Sequence, residues 1–352
     1  MKKEGVSTLK VAAAYIGTIV GAGFATGQEI LQFFLNFGVS GIAGIIMTTI
    51  MFIVFGYIIM DLGKRLNAHS HLEIIKYSGG RFLGLIIDLI ITFFLFGALT
   101  AMIAGTGALF EEQFNIPSIL GNIFMCVITA LTVMRGTNGV INSISFVVPF
   151  LLITVAGTSI YAIISTPYLL QSGQAVGQSG LMNNWLLSAI LYVSYNTIIS
   201  IAVLGPLGVK AKNHRTIRNG AILGGLGLGL GSMMIFLALS SDISDIRNLE
   251  IPMIYIAGRI SPLVQIIYAV VLIAEVYTTA VGALFGFTSR LTNIEKEPHQ
   301  ARYIIIISTI VALIASQFGF SNLVKYLYPL VGYGGILLLG CLLYVRFKRK
   351  FS

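Results

Sequence analysis

The chain is 352 residues long, 56% hydrophobic and only 10% charged, with a mean hydropathy of +0.91. Soluble domains carry about 25% charged residues, so this composition excludes a soluble globular protein and predicts an integral membrane one. The formal charge of +9 comes from 22 Lys and Arg against 13 Asp and Glu, but the basic residues fall in short loops between apolar blocks, which argues against a nucleic-acid partner.

A membrane span needs about 20 apolar residues, and this predicts ten segments: Thr8 to Phe37, Val39 to Asp61, Phe82 to Phe110, Ile116 to Met134, Ile141 to Ile164, Trp185 to Leu207, Ile217 to Leu239, Leu263 to Arg290, Tyr303 to Phe318 and Leu323 to Tyr344. Lys2, Lys3 and Lys10 precede the first segment as in a signal peptide, but the segment is too long and lacks a small-x-small cleavage site, so it is read as retained. Leu249 to Ile260, bracketed by Pro252 and Pro262, is too short to span and predicts a helix lying at the surface. Cys126 and Cys341 sit in separate apolar blocks without CxxC spacing, which predicts neither a disulfide nor a zinc site.

The first segment carries Gly17-Thr18-Ile19-Val20-Gly21-Ala22-Gly23-Phe24-Ala25-Thr26-Gly27 at its centre. Hydrocarbon offers no hydrogen-bond partners, so an unwound helix centre is tolerated only where it faces protein or a watery cavity. Such breaks expose amides and carbonyls at mid-membrane depth, where many secondary transporters hold a substrate and its coupling ion. Gly17 and Gly21 also form a GxxxG pair, which packing alone would explain. Four glycines in eleven residues favour binding. The run is not a dinucleotide fingerprint, because no strand precedes it.

With the amino terminus in the cytoplasm, 19 basic residues lie inside and only Arg247, Arg259 and Lys325 outside. This satisfies the positive-inside rule and predicts both termini on the cytoplasmic face of the cell membrane. A shift of 178 residues lays segments one to five on six to ten, pairing Tyr77 with Tyr255, Gly80 with Gly258, Arg81 with Arg259, Leu85 with Leu263 and Thr100 with Thr278. Pro149 and Pro329 fall within two positions of equivalence. Five spans per repeat is odd, which predicts halves of opposite orientation within one transmembrane domain, repeat one at about 8–164 and repeat two at about 185–345. The same shift lays the glycine run on Tyr195 to Gly205, where Ser194-Tyr195-Asn196-Thr197 and then Gly205-Pro206 predict a second broken helix.

This plan resembles the leucine-transporter (LeuT) fold of the amino acid, polyamine and organocation superfamily: all-α, ten transmembrane helices in a five-plus-five inverted repeat, helices one and six broken. Gly17 to Gly23 is similar to the unwound motif of helix one in its sodium-coupled members, and the whole chain resembles the bacterial YkvI-like membrane proteins. The resemblance implies a sodium site from the carbonyls of Gly17, Val20 and Glu275 and the hydroxyls of Thr278 and Thr279. It also implies that the amides of Ala22 and Gly23 meet a substrate carboxylate. Sodium, a hard cation, suits oxygen donors, and the positive end of a half-helix suits an anion. Phe24 stands where members with a second ion site place an amide, so a second sodium is not implied. Segment five lacks the lysine of proton-coupled relatives.

Other residues admit two readings. Glu275 lies near mid-membrane, where a carboxylate costs several kcal/mol unless paired or hydrated; it is functional, or a neutral carboxyl bonded between helices. Thr278 and Thr279 coordinate an ion or back-bond to their own helix. Tyr195, Asn196 and Thr197 are substrate contacts, with Phe24, and Phe93, Phe94, Phe96 and Thr100 give a partly apolar wall. Asp88 is read as interfacial, pairing Arg81. Glu29 either gates the outer pathway or faces a vestibule. His69, His71, His214 and His299 are read as solvated loop residues.

The function expected is a cation-coupled symporter, sodium before proton, of an amino acid or similar small carboxylate-bearing solute. It would need no cofactor beyond the coupling ion, and its expected partners are the small-molecule solute and the lipid bilayer, with no nucleic acid and the oligomeric state open. The alternative is a receptor subunit of the same fold that binds ligand without moving it. An intramembrane enzyme has no support: there is no HExxH, GxSxG or paired mid-membrane aspartates.

Overall fold

The structure, a computed structural model, describes residues 5–68, 70–135, 147–165, 180–241, 243–292, 294 and 296–348. Lys2, Lys3, His69, Arg349, Lys350 and the first six residues of the fifth predicted segment lie outside the described residues. Apart from short turns and one isolated bridge between Val6 and Ala211, the described chain is helical. The first predicted segment is α1 (Thr8–Ile19), α2 (Ala22–Ala25) and α3 (Gln28–Phe33), followed by a 3-10 turn at Leu35–Phe37. There follow α4 (Val39–Leu66), α5 (His71–Phe114), α6 (Ser118–Met134) and α7 (Val147–Ser165). The second half contains α8 (Trp185–Lys210), α9 (His214–Ser240), α10 (Pro252–Ile260), α11 (Pro262–Leu291), α12 (Pro298–Ala315) and α13 (Phe320–Lys348).

Seven of these helices are long and apolar enough to cross a membrane, and α1, α6 and α7 are shorter apolar helices. The described residues of the predicted segments are thus largely helical, the first being divided into short pieces. Element order also repeats between halves. Gly80, at φ 71° and ψ −172°, divides α5 into a short helix and a long one. Ser261, extended between α10 and α11, does the same in the second half. Glycine serves at position 80 because L side chains rarely take positive φ.

The core is a bundle in which α8 packs on α4 and α13, α9 on α4 and α1, and α11 on α5. Without a hydrophobic drive between helices in lipid, close backbone approach is what holds such contacts. Gly63 of α4 lies against the backbone of Gly205, and Gly208 of α8 against Met60. Tyr15 fits beside Gly56 and Gly224 and donates to the Phe52 carbonyl at 2.7 Å.

Two expectations are corrected here. The sixth segment is not broken: α8 runs as one helix from Trp185 to Lys210, with Pro206 inside its last turns. Three of its four polar cluster residues are satisfied within the helix, Ser194, Asn196 and Thr197 donating to the carbonyls of Ile190, Tyr192 and Val193 at 2.7, 2.9 and 2.7 Å. The short α10 does not lie on the surface. Pro252, Met253, Ile254, Ile256 and Ala257 are buried, and it packs against α11, α7 and α9.

Candidate functional site

The lead helix is interrupted twice. Val20 and Gly21 are extended (ψ 103° and φ −125°, ψ −169°), and Gly27 is left-handed at φ 81°. Helix ends leave backbone groups without intrahelical partners, and in an apolar setting each must be satisfied otherwise. Val20 N–H closes onto the Ile16 carbonyl at 2.8 Å. Thr26 Oγ1 donates to the Gly23 carbonyl at 2.8 Å, Tyr268 Oη to that of Ala25 at 2.6 Å, and Met253 N–H to that of Thr26 at 3.0 Å. Gln28 Nε2 bonds the carbonyls of Leu249 and Glu250 at 3.0 and 3.3 Å. Both sides of the break pack on α9 and α8, but α2 and α3 are in addition tied to α11, α10 and the Leu249–Glu250 turn.

At the first interruption the chain encloses a cavity of about 170 Å³. Gly17, Val20, Glu275, Thr278 and Thr279, the five residues of the sodium set, all line it. Thr279 Oγ1 faces Gly21, 3.8 Å from where a Cβ on that glycine would stand. Thr278 Oγ1 donates to the Glu275 carbonyl at 3.0 Å, so its lone pairs remain for a cation. Glu275 is buried, and among the described residues its Oε2 has no hydrogen-bond partner. Ala22, Gly23, Tyr195 and Asn196 line the same cavity.

Four expected contacts lie elsewhere. Phe24 is buried against Gly231 of α9. Phe96 packs on Phe287, ring centres 5.7 Å apart. Thr100 donates to the Phe96 carbonyl at 3.0 Å and Thr197 back-bonds as above; neither lines the cavity. The wall of α5 is instead Phe94, Ala98 and Met102, a stripe at i, i+4, i+8 that turns Phe96 and Thr100 away. Phe93, also expected in the wall, is exposed.

The residue that sequence reasoning left undecided is Glu29. It is buried and reaches the cavity from α3. Its Oε2 accepts from Tyr195 Oη at 2.6 Å and Tyr192 Oη at 3.2 Å, while Oε1 occupies the space a side chain on Gly23 would fill. Around it Phe33, Phe94, Tyr192, Tyr195 and Tyr328 form one buried cluster with ring centres 5.1–6.0 Å apart. The cavity is closed on this side. Gly17, Thr18, Ile199 and Thr279, which also line it, are only half-buried. The signal in the sequence was the acid two residues beyond Gly27, at the second interruption.

Ion pairs lie away from the cavity. Asp88 pairs with Arg290 of α11 rather than with Arg81, and Arg290 also contacts His71 Nε2 at 2.6 Å. Buried Asp61 binds Arg65 at 2.8 Å, His214 Nδ1 at 2.6 Å and Arg346 at 3.7 Å. His71 is therefore engaged rather than solvated, whereas His214 pairs with Asp61 while still exposed to solvent. Both cysteines are free, Cys126 buried and Cys341 partly so.

No protein-family model matches the chain. It is 33% identical, over 354 aligned residues covering all of both chains, to the uncharacterized membrane protein YkvI of Bacillus subtilis strain 168. Among solved structures it is similar to a Na+-coupled sialic acid symporter in a substrate-bound outward-open state (TM-score 0.64, 12% identity, 97% of this chain and 82% of that one). It is also similar to MhsT in complex with L-phenylalanine (TM-score 0.59, 16% identity, 96% and 89%).

Proposed function

We propose a transport function from one premise: this chain belongs to the family of the Bacillus subtilis membrane protein YkvI and has the leucine-transporter fold. The protein is read as a secondary transporter that couples movement of a small solute, an amino acid in the first instance, to a cation, with sodium favoured over protons. Ten membrane crossings in two oppositely oriented halves, with both termini in the cytoplasm, complete this reading; the repeated element order and the lopsided basic loops support it.

One observation carries the proposal. At an interrupted helix, oxygen-bearing residues of α1 and α11 converge on one cavity that holds a buried carboxylate oxygen without a partner. Sodium takes such hard oxygen donors, and discontinuous helices at mid-membrane are where transporters place their ions. Glu275, at 4% exposure, would then offset its burial against the cation. At about 170 Å³ the cavity is below the roughly 300 Å³ at which drug-sized pockets begin, which points to a small solute.

The test is uptake into proteoliposomes of a panel of amino acids and amines under an imposed sodium or proton gradient. Gradient-driven accumulation supports transport. Saturable binding without accumulation under either gradient selects a receptor subunit instead.

A further inference from the structure

The cavity carries two carboxylates, Glu29 and Glu275, and no Lys, Arg or His among its described lining residues. In an apolar interior, uncompensated negative charge is costly and marks a place where positive charge is received. Glu275 stands with Gly17, Val20, Thr278 and Thr279, the oxygen set suited to an inorganic cation. Glu29 stands apart from that set in kind, because its neighbours are aromatic. Tyr195 and Tyr192 donate to Oε2, and Phe94, Tyr195 and Tyr328 line the cavity beside it. Among the described residues no donor reaches Oε1, which lies against the bare Cα of Gly23. The space in which a solute carboxylate would meet Gly23 is thus already filled by a carboxylate of the protein, and like charges that close repel.

We propose that Glu29 is the solute-recognising group and that it takes an organic ammonium, seated among the rings of Phe94, Tyr195 and Tyr328. A carboxylate gives an ammonium a charge-assisted hydrogen bond, and aromatic faces attract the same cation. Rings in place of further oxygen ligands, with one Glu29 oxygen already committed to two phenols, favour an organic cation over a divalent metal. This rests on the transport reading for its purpose but concerns recognition alone: an amine lacking any carboxylate should bind, and an acid lacking the amine should not.

The experiment is thermal stabilisation of the purified full-length protein, in sodium, by matched triplets: leucine, isopentylamine and 4-methylpentanoate, then the corresponding phenylalanine, alanine and tryptophan series, with choline and Mn2+ added. The expected result is stabilisation by at least one amine or by choline, none by the deaminated acids, and at least a tenfold weaker apparent affinity in Glu29→Gln. That variant keeps an oxygen for Tyr192 and Tyr195. Sodium-dependent stabilisation equal to wild type certifies its fold, and if the fold fails the comparison moves to Glu29→Asp, which keeps the charge at shorter reach and should weaken the same amine. Stabilisation by acids alone, by Mn2+ alone or by neither an amine nor choline overturns the proposal, as does an ammonium response unchanged in either variant. If amines bind and no gradient drives uptake, the transport reading fails and this one stands; if an acid without an amine is transported, the reverse holds.

Discussion

The carboxylate of Glu29 occupies the room left by the absent side chain of Gly23, so that an acid from one side of the second interruption fills a gap at the first. Gly23→Ala should therefore push the carboxylate off Tyr195. Overpacking of this kind costs about 1–3 kcal/mol, and thermal denaturation in detergent should show the loss. Gly282→Ala, in α11, where an added Cβ meets nothing within 4 Å, is the control and should leave the midpoint unchanged or slightly raised. Equal midpoints for both variants would contradict the placement of Glu29.

The two phenols should be unequal. Tyr195→Phe removes the 2.6 Å donor and Tyr192→Phe the 3.2 Å one. Hydrogen bonds to a charged group contribute about 1.5–3 kcal/mol, so Tyr195→Phe should fall toward that range and Tyr192→Phe toward its lower edge. Unfolding midpoints of the two variants give the order directly.

Sodium, but not potassium, should stabilise the protein, by about 2.7 kcal/mol at a hundredfold excess over Kd. Thr279→Ala and Glu275→Gln should abolish that increment. Thr278→Ala should abolish it as well, because its hydroxyl gives its proton to the Glu275 carbonyl and keeps its lone pairs for the ion. An increment that survives all three substitutions moves the ion elsewhere.

At the Asp61 cluster, Asp61→Asn should lower stability by about 1–2 kcal/mol, since the carboxylate is buried while its three partners are half-exposed and screened by solvent. Arg346→Gln, which breaks only the 3.7 Å pair, should stay within about 0.5 kcal/mol. The difference between the two should shrink in high salt.

Topology is open to single-cysteine labelling in a background lacking Cys126 and Cys341. In intact cells an impermeant maleimide should modify cysteines placed at Arg247 or Lys325 and not those placed at Lys212 or Lys296. Labelling of both sets from one side would remove the inverted arrangement.

The glycine run was legible because lipid forbids an idle break, and Glu275-x-x-Thr278-Thr279 was legible because hydroxyls one turn from an acid offer oxygens on one face. The unbroken α8 was not. Tyr195, Asn196 and Thr197 look the same in sequence whether they unwind a helix or bond back to it, and only the i−4 carbonyl contacts decide. The phase of α5 was hidden for another reason: Phe93, Phe94 and Phe96 lie within four residues, so apolar character cannot tell the face toward the cavity from those that leave it. Glu29 needed Tyr192 and Tyr195, more than 160 positions away, to acquire a meaning.

The anchorage of the interrupted lead helix has a mechanical consequence. Tyr268 and Met253 clamp the far side of the break to α11 and α10, and Gln28 fastens it to the turn at Leu249–Glu250. α1 and the clamped piece both pack on α9 and α8, and the chain passes from one to the other through the extended pair Val20–Gly21. Under the transport reading, that extended pair is where α1 would turn against the clamped piece beside the cavity.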